Sequence, residues 1–353
     1  MWLDGLEPEG THGALPAWRA EGFGAPDRAV AFLGSGREAL AYLLASLGVA
    51  RGRVLLPAYG CAALGEAVAA AGADPAYYPV ADDLAPDWTA LLAAARDPAV
   101  RAAVVVHPFG RLLEPAVRLP VPVVEDVSHT VANAPGARAW GPPWSAGAAG
   151  SLRKLLPVSA GVALRWDGGT LPPPPATASP AARAHADARA RALALPPSVR
   201  RQAELAAAED LLPPDPAVPW GAPPAEALER LAALRTGSEE AAETWRRRTR
   251  TNWQTLAEGL RDHPTVRPLW TDLPAGAVPL GFVVRHPDRT RLAWRLAAAG
   301  IVPTWHWPVP PPARPFLGPA GRRLAASLLT LPCDGRWGTE DMERLLQALR
   351  AAG

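Results

Sequence analysis

Ala102 to Val106 is an unbroken apolar run that ends in three valines. A strand without polar alternation has to be covered on both faces, as in a parallel sheet held between two layers of helices. The neighbouring segments fit that demand. Val54 to Leu56 is a short apolar strand stopped by Pro57, and residues 61 to 71 read as an alanine-rich helix closed by Gly72. Ala76 to Val80 and Val121 to Val124 are two further strands, the latter with Pro122 near its start. Before them, residues 36 to 48 place Leu40, Leu43, Leu44 and Leu47 on one helical face, with Ser35 and Gly36 where an N-cap belongs. Strands and helices alternating at this spacing predict an α/β chain wound around a largely parallel sheet.

The second half reads differently. Residues 171 to 182 form a proline-rich loop, helical patterns run from about 183 to 210, and a second proline cluster spans 213 to 224. A long helix is expected from about 225 towards 260, then a strand at Leu280 to Val284 and a helix at 289 to 299. A strand at Ile301–Val302 and a closing helix at 339 to 351 complete a small α+β domain. The expected division is an N-terminal arm at 1–28, a large domain at 29–235, and a connecting helix with the small domain at 236–353. No internal repeat is visible.

Bulk properties narrow the function. The chain has 353 residues, 49% of them apolar, which suits a large core and not disorder. A net charge of +2 carries no dominant basic run, and the Arg246 to Arg250 cluster reads as a solvated helix face, so no nucleic-acid partner is expected. Cys61 and Cys333 make no disulfide framework and no metal spacing. Met1 to Gly10 carries Asp4, Glu7 and Glu9 without a signal core, and no apolar run is long enough for a membrane, so a reducing cytoplasm is expected.

One composition detail points to chemistry. Lys154 is the single lysine against thirty-five arginines. Only lysine offers an amine that can lose its proton and attack a carbonyl; guanidinium stays charged. Three upstream features bear on it. Ser35-Gly36-Arg37 opens a helix, where free N–H groups and the helix dipole attract an anion, although Ser-Gly there can be a cap alone. Glu125-Asp126 follows an apolar strand, at the edge where α/β sheets bind ligands, although an acid there can also cap a helix. His129 shares that rim, and Ser151 precedes the lysine. An anion site, then a carboxylate, then an amine is the order that pyridoxal phosphate (PLP) needs for its phosphate, ring nitrogen and aldehyde.

The wording of these segments resembles the fold-type I PLP enzymes, and most closely the DegT/DnrJ/StrS sugar aminotransferase-like family. FLGSGREAL is similar to the family's Ser-Gly-Thr-x-Ala-Leu segment, and VLLPAYGCAALGEAVAAAGADPAYYPV to its Pro-x-x-Thr-x-x-Ala stretch. VVVHPFG resembles Val-His-x-x-Gly, VPVVEDVSHTVAN resembles Val-Ile-Glu-Asp-x-x-Gln, SLRKLLPVSAGVAL the lysine segment, and LLTLPCDGRWGTEDMERLLQAL the closing strand and helix. Together they cover most of the chain.

The resemblance implies a large domain with a mostly parallel sheet sandwiched by helices, a small C-terminal domain, and a homodimer. It implies an aminotransferase that moves an amino group from an amino-acid donor, glutamate by preference, to a keto sugar carried on a nucleotide. Lys154 becomes the Schiff-base lysine and proton carrier, and Asp126 the partner of the ring nitrogen. Ser35, Gly36, Arg37 and Ser151 become phosphate contacts. His129 stands where the family has glutamine, beside the ring hydroxyl. His107 is expected on the crevice rim, and Trp305 and His306 are candidates for a substrate wall, with packing as the competing role. Three departures stand out. Cys61 occupies the position of the family's stacking aromatic, which leaves Tyr59 to stack on the ring. The Gly-Tyr-Asn-x-Arg segment has no counterpart. The lysine segment is shorter, nearer to desulfurase-like relatives. A different PLP reaction, such as a lyase or desulfurase, and a retired PLP fold used for binding or regulation are the alternatives.

Overall fold

The computed structural model describes residues 29–134, 137, 141, 143–156, 158–195, 199–213 and 215–352; the N-terminal arm at 1–28 lies outside them. Seven strands make the main sheet: β1 (Val30–Leu33), β2 (Arg53–Pro57), β3 (Asp74–Tyr78), β4 (Val100–Val106), β5 (Val123–Asp126), β6 (Gly147–Ser151) and β7 (Gly161–Arg165), in the order β1-β7-β6-β5-β4-β2-β3. Every neighbouring pair is parallel except those made by β7, which runs against both β1 and β6. Val104 and Val105 of β4 are wholly buried on opposite faces, as the apolar run requires.

Two helices on one face set the geometry of the site. α1 (Gly36–Ser46) lies across β6 and β7, and α2 (Ala62–Ala70) packs beside it. Close backbone approach explains the glycines of β6 and β7. A Cβ on Gly147 would meet the Leu164 carbonyl oxygen at 2.3 Å, and one on Gly161 would meet the Ser35 carbonyl oxygen at 2.0 Å. The sequence reading missed β6 for this reason: its Gly-Ala-Ala-Gly-Ser carries no β-branched or aromatic signal.

α3 (Trp88–Ala94) lies between β3 and β4, and after the sheet come α4 (Pro180–Leu193), α5 (Val199–Glu209), α6 (Ala225–Arg235) and α7 (Glu239–Gly259). The long helix expected from 225 is therefore two. Thr236 and Gly237 break it, and the Ser238 side chain caps α7 by accepting from the Ala241 N–H. A second, antiparallel sheet of β8 (Arg267–Pro268), β9 (Phe282–Arg285) and β10 (Leu328–Leu331) packs with α7, α8 (Arg289–Ala298) and α10 (Thr339–Ala352). α9 (Gly318–Ser327) leads into β10. Ile301–Val302 is not a strand; the chain pairs two residues later, where Thr304 bridges Thr330.

The arginine cluster of α7 is a solvated face only in part: Arg247 and Arg248 are exposed, but Arg246 and Arg250 are not. Arg246 is 8% exposed, with its Nε donating to the Ala132 carbonyl and its guanidinium paired with Glu239. Arg250 donates to the carbonyls of Pro274 and Ala277, and Arg248 to that of Gly335. Trp220 packs edge-on against Tyr42, whereas Trp144 is 39% exposed. Among the described residues no helix is long and apolar enough to cross a membrane, and no group of histidine, cysteine and carboxylate side chains could hold a metal ion.

Candidate active site

The parallel strands deliver their last residues to one edge. Asp126 is the final residue of β5, inside the strand and not after it, and Ser151 is the final residue of β6. A single 3-10 turn, Leu152–Lys154, follows Ser151 directly and carries the lysine back over that edge. The N-terminus of α1 arrives from the other side. A Cβ on Gly36 would lie 2.9 Å from the Ser151 nitrogen and 2.7 Å from its Cβ, so only glycine permits this approach.

These elements enclose a cavity of about 110 Å³. Ser35, Gly36, Arg37, Asp126, Ser151 and Lys154 all line it, together with Cys61 from the start of α2. Six residues singled out from sequence thus share one chamber. Glu209 and Leu212, at and beyond the end of α5, close another side.

Local chemistry fixes each group. The Ser35 hydroxyl caps α1, accepting from the Glu38 N–H at 3.2 Å. Asp126 accepts from the Ser128 N–H at 2.8 Å through Oδ1. The Arg37 guanidinium is held by Glu66 at 2.9 Å and donates to the Glu209 carbonyl oxygen. Arg153, next to the lysine, pairs with the Glu209 carboxylate. Glu209 also meets His185 at 3.3 Å and Arg189 at 3.7 Å. Burial opposes its charge, but Arg153, His185 and Arg189 outweigh burial and hold it down at about 2. Neither Arg153 nor Glu209 was singled out from sequence. Arg153 was legible only as the lysine's neighbour, and Glu209 had no signal beyond its place at a helix end.

His129 is 2% exposed and stands beside the lysine, Nε2 to Nζ at 3.0 Å. Its Nδ1 accepts from the Phe109 N–H at 3.2 Å. Burial first, then Lys154 and His306, push its imidazole well below the ordinary range. His306 comes from the segment before α9 and closes to 6.0 Å, ring to ring, from His129. Burial and Lys154 bring it down to about 3. Trp307 stacks on His129 at 5.9 Å, and Phe109 touches both histidines.

Three other candidates stand elsewhere. The Tyr59 ring packs edge-on against Trp307 at 5.7 Å, and its hydroxyl donates to the His306 carbonyl, so its ring is not among the cavity walls. Only Gly60 separates it in sequence from Cys61, which does line the cavity. His107 is wholly buried and bonded to Glu125 at 2.7 Å, inside the sheet's packing and not on the rim. Trp305 is 40% exposed under the Arg289 guanidinium. Of the expected substrate wall only His306 approaches the lysine.

The donor set suits PLP. One end offers a helix N-terminus with serine and arginine, the wall offers a carboxylate at a strand end, and the residue with the primary amine lines the same cavity.

No protein-family model matches the sequence, and no curated protein matches it. Solved structures do match the fold. DesV from S. venezuelae, in complex with a ketimine intermediate, superposes with a TM-score of 0.65 at 22% identity, over 97% of this chain and 91% of that one. The sugar aminotransferase CalS13 from Micromonospora echinospora gives 0.66 at 18% identity, over 97% and 94%. Spr1654 from Streptococcus pneumoniae, in its PLP form, gives 0.67 at 14% identity, over 97% and 93%. The chain has the fold of these structures, the fold-type I arrangement.

Proposed function

We propose that the protein is a PLP-dependent aminotransferase that takes an amino group from an amino acid and delivers it to a keto sugar, by first preference one carried on a nucleotide. The observation that carries the reading is the convergence of the chain's single lysine, Asp126 and the α1 N-terminus on one cavity. When bound, PLP supplies an electron sink that stabilises negative charge at the donor's α-carbon. Lys154 would hold the cofactor and carry the proton between carbon centres, work that arginine cannot do. Asp126 would keep a proton on the ring nitrogen by opposing its positive charge. Ser35, Gly36, Arg37 and Ser151 would take the phosphate, and His129 would stand beside the ring. Fold-mates named as sugar aminotransferases support the substrate class. We further propose a homodimer working in the cytoplasm, divided at about residue 235 into large and small domains.

The test is a visible absorption spectrum of the protein with added PLP, repeated for Lys154→Ala. The wild type is expected to develop a band that the variant lacks. A wild type that binds no PLP, or a variant band of equal strength, would overturn the reading. Glutamate added to the loaded protein then separates reactions: conversion of the band to the pyridoxamine form marks a transaminase, and its persistence favours a lyase or desulfurase.

A further inference from the structure

A second cavity, of about 380 Å³, shares Arg153 with the lysine cavity and is otherwise built from different walls. Its volume falls in the range of small-molecule pockets, roughly 300–1,000 Å³. Part of the lining is apolar: Leu156 and Val158, from the chain between Lys154 and β7, and Leu193 of α4. Helix geometry keeps the space open. Ala186, Ala190 and Ala194 recur at four-residue steps along one side of α4, and Ala227 of α6 lines the cavity as well, so these positions contribute only methyl groups.

Three arginines line the same space. Arg153 comes from the turn that carries the lysine, Arg189 from α4 and Arg230 from α6, and Ser159 adds a hydroxyl. Arg189 is 8% exposed, and it and Arg153 both pair with Glu209, which lies outside this lining. The acid within the lining is Glu226, one helical turn before Arg230. Three positive charges thus stand against two negative ones, and the surplus favours an anion. Guanidinium forks match the oxygens of phosphate and carboxylate. Three forks from separate elements suit a group with several acceptor oxygens and more than one negative charge. A phosphate monoester has both, whereas a carboxylate carries a single charge. Bare phosphate would leave the leucine and valine wall uncovered.

We propose that this cavity is a second ligand site, separate from the lysine site, and that it takes a phosphate monoester carried on a compact apolar body. The proposal does not depend on PLP. None of the residues assigned above to cofactor or substrate lines this cavity.

The test is calorimetric titration with phenyl phosphate at fixed salt, with inorganic phosphate and benzoate as controls. Phenyl phosphate is expected to bind about tenfold or more tightly than either control, because only it supplies both the dianion and the apolar body. Two variants at exposed positions locate the binding: Arg230→Ala removes a guanidinium, and Ala190→Trp fills the space from α4. Each is expected to weaken phenyl phosphate binding about tenfold or more. Arg37→Ala, in the lysine cavity, is expected to leave it unchanged. Should Ala190→Trp fail to fold by circular dichroism, Arg230→Glu takes its place, since a carboxylate there repels the dianion. Wild-type affinity in the Arg230 variants, or a loss confined to Arg37→Ala, would overturn the proposal. So would benzoate or inorganic phosphate that binds as tightly as phenyl phosphate. No step uses PLP, so failure here is separable from failure of the cofactor to bind.

Discussion

Glu38 stands in the first turn of α1 with none of its surface exposed. Its Oε1 accepts from the Ser179 hydroxyl at 2.8 Å and its Oε2 from the Gly221 N–H at 3.0 Å, which ties the start of α1 to two distant loops. Burial is the largest influence and outweighs these bonds, raising the carboxyl from 4.5 to about 7. The sign follows from proton binding. Between pH 4.5 and about 7 the folded chain keeps a proton that the unfolded chain has lost, so this group's contribution to stability falls as pH rises. The full shift corresponds to at most about 3 kcal/mol. Glu38→Gln is expected to be more stable than wild type by about 1–3 kcal/mol at pH 8 and to lose that advantage in mild acid. Neutral buried histidines such as His129 and His306 act in the opposite sense, so the difference between the two proteins is what denaturant titrations must read. A variant with the wild-type pH slope would remove Glu38 from the account. Residues like this one were invisible in the sequence, where Glu38 is one acid in a helix start. Lys154 and Asp126 were legible because their chemistry is scarce at those positions. His107 and Tyr59 carried plausible chemistry too, but which way a side chain leaves a strand end or loop depends on packing that no local pattern records.

At the scale of elements, periodicity found most strands and helices and failed where the cause was tertiary. β6 was hidden because Leu164 of β7 and Val127 and Ser128 after β5 leave little room for a side chain at Gly147 and Gly150. The break between α6 and α7 was hidden because one Thr-Gly-Ser interrupts an otherwise continuous helical pattern. α5 packs against α4, and Glu209 at its end ties it further through Arg153, His185 and Arg189. Glu209 is about a third exposed, so the network is worth less than a fully buried one. Glu209→Ala is expected to raise amide hydrogen exchange in α5 about tenfold or more while global stability falls by only about 1–2 kcal/mol. The same variant leaves Arg153 without its carboxylate beside Lys154. Unchanged exchange in α5 would mean that packing alone, and not Glu209, closes the cavity.

On the scale of the whole molecule, the site depends on the second sheet being held against the first. Val283, Leu324 and Leu328 share the first sheet's apolar core, and polar contacts of two kinds add to that packing. One is Asp82, near the end of the β3 loop, paired on the surface with Arg323 and, at 3.9 Å, Arg285. The other is Tyr59, 2% exposed, whose hydroxyl donates to the His306 carbonyl and accepts from the Trp307 N–H at 3.2 Å. Exposed ion pairs are screened and pay side-chain entropy, while a buried hydroxyl that satisfies two backbone groups leaves both stranded when removed. Magnitude therefore favours the tyrosine. Tyr59→Phe is expected to lower stability by about 1–3 kcal/mol in denaturant titration. Asp82→Asn should leave the midpoint where it is, because Arg285 also donates to the Asp82 backbone carbonyl, which the substitution keeps. The functional consequence follows the same path. His306 stands opposite His129 only while this segment is docked, so Tyr59→Phe should weaken amino-donor binding or turnover more than it weakens PLP binding, whose groups lie on the first sheet and its helices. Equal losses in the two, or an Asp82→Asn variant less stable than Tyr59→Phe, would place the junction in the surface charges instead.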